Sequence, residues 1–179
     1  MSLPGVELVY DVHGPGVGRP LVMIGQPMSA EGFYALASHL DDRTVVTYDP
    51  RGLGRSERSD GIDTSVPEVQ AEDLHALVAE LGGGPVDVFG SSGGAVAGLA
   101  WVTAHPDDVA TFVAHEPPLI NTLPDAEAAW RGYDGFRRTY AERGWGAGMA
   151  AFIAYTSWSG EYTEAVSYTH LTLPTNREV

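Results

Sequence analysis

Cysteine and lysine are both absent from the 179 residues. Without cysteine there is no disulfide, no thiolate metal site and no cysteine nucleophile. Without lysine there is no P-loop, whose lysine must reach the phosphates. All ten cations are arginines; they face 24 acidic residues and leave a formal net charge of −14. Phosphate backbones repel such a chain, which argues against sequence-independent nucleic-acid binding. Long apolar runs are missing as well. The run 147–155, for example, is about half of the ~20 residues that a membrane-spanning helix needs. The opening Met1-Ser-Leu-Pro-Gly has neither the basic stretch nor the apolar core of a signal peptide. What is present is ordinary for a globular chain, with 44% hydrophobic and 19% charged residues. The expectation is a cytoplasmic protein that acts on a small molecule, with no nucleic-acid or membrane partner.

Strand and helix signals alternate along the first two thirds. Residues 6–13 read as a strand closed by Gly14-Pro-Gly16, and 20–25 is a continuous apolar run of the kind buried on both faces of a sheet. Ser29 is placed to cap a helix over roughly 30–40, where Phe33, Leu36, Ala37 and Leu40 recur at helical spacing. Residues 44–49 form the next strand, and a long polar loop begins at Arg51. Pro67 suits the first turn of a helix carrying Val69, Leu74, Leu77, Val78 and Leu81. Strands at 85–90 and 109–114 then flank a Gly/Ala-rich helix from Gly93 to Ala104. This order predicts an α/β fold, a mostly parallel sheet with helices on both faces. After Pro118 the pattern turns helical and aromatic.

The chemistry concentrates in Gly90-Ser91-Ser92-Gly93-Gly94, a G-x-S-x-G string joining a strand to a helix. A nucleophile on so sharp a turn takes strained backbone angles, and its neighbours must be tiny for the chain to fold back. The Gly93 N–H then sits at a helix N-terminus, where unpaired donors and the dipole favour an oxyanion. Ser91 does not fit the same pattern, because position 89 is Phe. A dinucleotide-binding turn needs G-x-G-x-x-G, and Ser92 stands where its second glycine belongs. Gly90, Gly94 and Gly98 instead recur every four residues, a spacing that suits close helix packing.

With these residues in view the chain resembles the α/β-hydrolase superfamily over residues 6 to about 120. Ile24-Gly25-Gln26-Pro27 is similar to the family's H-G-x-P turn, with Ile24 in place of the usual His. Residues 48–56, Tyr-Asp-Pro-Arg-Gly-Leu-Gly-Arg-Ser, are similar to its D-x-R-G-x-G-x-S loop. The resemblance implies a core over 1–120, a helical cap over 121–165, Ser92 as nucleophile, and the Gln26 N–H as a second oxyanion donor beside Gly93. No cofactor is implied. No His/Asp/Glu group shows ligand spacing, so no metal site is expected.

The triad partners are less legible. In this fold the order is Ser, acid, His. His13, His39 and His75 precede Ser92, and His105 ends the helix that begins at the elbow, ~18 Å away at 1.5 Å per residue. His115 closes the sixth strand at the sheet edge that carries the elbow. Glu116 beside it is the acid candidate, set against a plain loop role. His170 falls in a tail, 166–179, whose composition changes abruptly: from Ser167 onward there is neither Ala nor Gly. The string Val166-Ser-Tyr-Thr-His-Leu-Thr-Leu-Pro-Thr resembles a translated sequencing adapter and is expected to be non-native. On that reading the chain is a C-terminally truncated fragment, and its catalytic His belongs to the missing part. The function expected is a serine hydrolase of a small ester or acyl compound, working through acyl-Ser92, with little activity from the fragment itself. Acyl transfer, cofactor-free perhydrolysis (haloperoxidase activity) and non-catalytic ligand binding remain open beside it.

Overall fold

The computed structural model describes residues 1–162, so the tail and His170 lie outside the described residues. The chain divides into two units, Met1–Pro118 and Leu119–Val179. The first contains, in order, β1 (Ser2–Leu3), β2 (Val6–Glu7), β3 (Tyr10–His13), β4 (Leu21–Gln26) and α1 (Tyr34–Ala37). It continues with β5 (Val45–Tyr48), β6 (Glu57–Arg58), α2 (Pro67–Glu80), β7 (Val86–Ser92), α3 (Gly93–Ala104) and β8 (Val109–His115). The main sheet has the order β3-β5-β4-β7-β8. Its strands run parallel except β3, which is antiparallel to β5. Helices cover both faces, so the fold is the α/β class expected.

The first expected strand divides between two sheets. β2 pairs with β1 and β6 in a small antiparallel sheet, whereas β3 joins the main one. The reason lies in the two residues between them. The Leu8 N–H donates to the Met1 carbonyl, and Val9 bonds through its N–H to Ser56 Oγ and through its carbonyl to the Asp49 N–H. Leu8 thus continues the register of β1 with β2, and Val9 that of β3 with β5, so the strand changes sheets between them.

Alternation along β4 decides the two cores. Val22 and Ile24 join Leu8, Val46, Tyr48 and Val88 under Leu74, Leu77 and Val78 of α2 and Trp101 of α3. Met23 points the other way, onto Phe33, Ala37 and Val45. At one edge of the described sheet β8 is largely uncovered, with Val113 52% exposed.

The loop after β5 hangs on Asp49, whose carboxylate is buried. It accepts the Ala30 N–H at 2.7 Å, the Arg55 N–H at 3.0 Å and Arg55 Nε at 2.6 Å. Ser29 occupies the cap position before the 3-10 turn Ala30–Phe33, but its side chain makes no capping bond. The better acceptor arrives from β5. Arg55 also grips Asp11 with both terminal nitrogens, at 3.0 and 2.6 Å. Arg51 does the same to Asp73 of α2, through Nε at 2.9 Å and Nη2 at 2.6 Å.

The second unit contains α4 (Ala126–Thr156), broken at Gly144, where φ is 80°. Phe136 meets both Phe152 and Tyr155, at ring-centre distances of 5.4 and 5.6 Å. Tyr155 in turn lies flat against Gly132 and donates to the Ala129 carbonyl. Several aromatics of this segment thus pack on one another across the break. Trp145 is 69% exposed. No helix among the described residues is long and apolar enough to cross a membrane.

Burial alone would raise the Asp49 pKa, but the hydrogen bonds from Arg55 and the Ala30 amide outweigh it and hold the carboxyl below its ordinary value. A group lowered in this way stabilises the fold above its unfolded pKa, and the contribution disappears as pH falls through the folded one. Arg55 is half exposed, so its pairing is partly screened. Replacing Asp49 with Asn should cost about 2 kcal/mol at pH 7, and the cost should fade as pH falls below about 4. Urea unfolding of both proteins at pH 7 and pH 3 measures this; an equal cost at both values contradicts it.

Candidate active site

β7 runs into α3 through a single residue. Ser92 is the last residue of the strand, has φ 54° and ψ −125°, and is followed at once by the first helical residue, Gly93. A non-glycine residue in that region carries strain of about 1–3 kcal/mol. The surroundings leave no alternative. A Cβ on Gly94 would stand 2.3 Å from the Ile24 carbonyl oxygen, and one on Gly93 would stand 2.9 Å from the Gln26 carbonyl oxygen. On Gly90 it would meet the Ala95 Cα at 2.9 Å, and on Gly98 the Phe112 ring at 2.5 Å. The four-residue glycine spacing therefore seats α3 directly on β4, β7 and β8.

Three of the residues singled out from sequence meet here. Gln26 is the Cα partner of Ser92 in the parallel pairing of β4 with β7. Gly93 lies against the Gln26 backbone and side chain. Ser92 itself is exposed at the C-terminal edge of the parallel strands. Its position at the N-terminus of a twelve-residue helix exposes it to the positive end of the helix dipole. Ile24, where the family pattern has His, is fully buried, with its carbonyl under Gly94 and its Cδ1 facing Gly98. It serves as packing for the elbow.

Glu116 follows β8 one residue beyond the Ser91–His115 register pair and also has positive φ, 49°. It is exposed. His115 Nδ1 lies 3.2 Å from Ser91 Oγ, so its recorded partner is the neighbour of Ser92. No side chain among the described residues hydrogen-bonds the Ser92 hydroxyl. His13 is paired with Thr47 and packs edge-on against Tyr34. His75 and His105 stack on each other, with Asp108 and Glu72 as their respective partners. Sequence spacing gave no metal site, but the fold brings one donor atom each from His75, His105 and Asp108 within 4.8 Å of the others. His105 and Asp108, three apart, were the available signal. The 33-residue separation of His75 from Asp108 hid the rest.

The family model described as alpha/beta hydrolase fold matches residues 20–159. The chain belongs to the alpha/beta hydrolase family. It is similar to the uncharacterized hydrolase YraK of Bacillus subtilis, 38% identical over 126 residues that make up 69% of this chain and 45% of that protein. RutD of Caulobacter segnis, a proposed carbamate hydrolase, is 34% identical over 110 residues, 59% of this chain and 41% of its own. Among solved structures, a variant of a proposed epoxide hydrolase from Pseudomonas aeruginosa superposes with TM-score 0.63 at 27% identity. That alignment covers 76% of this chain and 47% of that one. The chain thus spans less than half the length of each of these three proteins. In this alpha/beta hydrolase the D-x-R-G-x-G-x-S loop is the Asp49 node, and the G-x-S-x-G string is the Ser92 turn.

Strain at the turn has a measurable sign. Replacing Ser92 with Gly should raise stability by about 1 kcal/mol, the relief of a disfavoured φ less the extra backbone entropy of glycine. Replacing Gly94 with Ala should instead cost several kcal/mol, because the new methyl overlaps backbone that cannot move aside. Denaturant melts of the two variants decide; a Ser92→Gly protein less stable than the parent contradicts the strain.

Proposed function

We propose that the protein carrying this chain is a serine hydrolase of small ester or related acyl substrates, with Ser92 as its nucleophile. The observation that supports this most is Ser92 itself: an exposed hydroxyl residue at φ 54° on the strand-to-helix turn, paired in register with Gln26. Strain of this kind persists where function holds it in place.

The chemistry follows from that placement. Ser92 Oγ attacks the substrate carbonyl, its proton passes to a general base, and the carbonyl electron pair moves onto oxygen. The backbone N–H groups of Gln26 and Gly93 receive that oxyanion, helped by the α3 dipole. Collapse expels the alcohol or amine, which takes the proton back from the base, and leaves acyl-Ser92. Water, deprotonated by the same base, then attacks the acyl carbon; the bond to Ser92 Oγ breaks, the acid leaves, and the base returns the proton to Ser92. Glu116, held at positive φ beside the elbow edge, is the acid proposed to orient the base. The base is a His outside the described residues. The carbamate in the name given to the RutD relative is itself an acyl compound and agrees with this class.

Activity toward a short-chain activated ester tests the reading in the protein that carries this chain. Ser92→Ala should lower kcat by about 10³-fold or more, since what survives loss of a triad member comes from the oxyanion site and binding. Glu116→Gln should lower kcat with little change in KM. Turnover unchanged by Ser92→Ala overturns the proposal.

A further inference from the structure

We infer that His75, His105 and Asp108 form a binding site for a divalent transition metal of the zinc type, separate from the Ser92 turn. The three come from two places in the fold: His75 from α2, and His105 and Asp108 from the turn that connects α3 to β8. One donor atom from each lies within 4.8 Å of the others. Two imidazoles and a carboxylate are a donor set that zinc accepts, with water in the fourth position.

The outer contacts are those a metal site needs. Trp101, fully buried in the core, donates its Nε1–H to Asp108 Oδ2 at 2.9 Å and fixes that carboxylate. Glu72 Oε1 lies 2.9 Å from His105 Nε2, a carboxylate–histidine contact of the kind that orients a metal-bound ring through its second nitrogen. With Nε2 held by Glu72, Nδ1 is the His105 nitrogen that would take the cation. Asp108 Oδ2 is already 2.7 Å from His75 Nδ1.

Binding requires one rearrangement. Ligand bonds of 2.0–2.2 Å place donor atoms about 3.3 Å apart around a tetrahedral ion, so the widest pair must close. The two rings now lie face to face, with centres 3.9 Å apart and planes at 8°, and their lone pairs cannot converge until the stack opens. The His75 side chain is 45% exposed, so the stack would open toward solvent. The metal would therefore trade a ring stack for a clip between α2 and the end of α3, the helix that begins at Ser92. At 1.5 Å per residue that end is ~18 Å from the elbow, so the clip serves the scaffold and takes no part in the reaction.

The test uses the full chain without a histidine tag, stripped of metal and titrated with zinc chloride against a chromophoric chelator. One equivalent should bind with a Kd in the micromolar range, the affinity suited to a half-open three-ligand site. His75→Gln and Asp108→Asn should each weaken binding at least tenfold, while His39→Gln, an exposed histidine outside the cluster, should leave it unchanged. In the unsubstituted chain, zinc should shift the ring resonances of His75 and His105 and leave those of His13 and His39 in place. This readout stands even if a variant fails to fold. Absence of binding at 100-fold the protein concentration, undiminished binding by His75→Gln, or zinc shifts confined to other histidines each overturns the proposal.

Discussion

At Gly94 the first turn of α3 rests directly on the backbone of β4, and the rest of the site depends on that contact. A methyl group on Gly94 would overlap the Ile24 carbonyl oxygen at 2.3 Å, so the helix approaches this closely only with glycine there. Once it does, the chain must reverse from strand to helix within one residue. Ser92 absorbs the reversal at φ 54°. The same closeness brings Gly93 against Gln26, so the hydroxyl and both candidate amide donors come together as a consequence of packing. The strain at Ser92 is sustained by the glycine contacts on either side of it and by the buried sheet below.

A second constraint holds the rim of the sheet. Asp49 sits at the end of β5 and collects donors from the start of the 3-10 turn and from Arg55. Arg55 reaches on to Asp11 of β3, and Arg51 to Asp73 of α2. One buried carboxylate and two arginines thereby tie together β5, the 3-10 turn, β3 and α2. Arg51 and Asp73 are both nearly buried. A buried pair of this kind contributes less to net stability than to a unique arrangement, because desolvation offsets much of its attraction.

Much of this was legible before any coordinates. The continuous apolar run at 20–25 read as a doubly buried strand, because a parallel sheet covered by helices leaves no polar face. The spacing of Gly90, Gly94 and Gly98 pointed to close packing: Gly94 and Gly98 share one face of α3, and Gly90 meets that helix from β7. Other features were hidden by the way they are built. The division of 6–13 between two sheets depends on Asp49 and Ser56, 40 and 47 residues beyond Val9. Ser29 looked like a cap, but the competing acceptor comes from another strand. Local spacing cannot weigh such rivals. The His75–His105–Asp108 group was missed for the same reason: two of its members are near in sequence and the third arrives only through the packing of α2 on α3.

The central claim is that Ser92 carries the acyl group, and trapping that intermediate tests it most directly. The protein carrying this chain would be mixed with an excess of an activated ester, quenched in acid within the first turnover, digested and mapped by mass spectrometry. The account predicts a single acyl addition located on the Ser92 side chain. Acylation at the adjacent Ser91, or turnover with no acylated serine at any quench time, would contradict it.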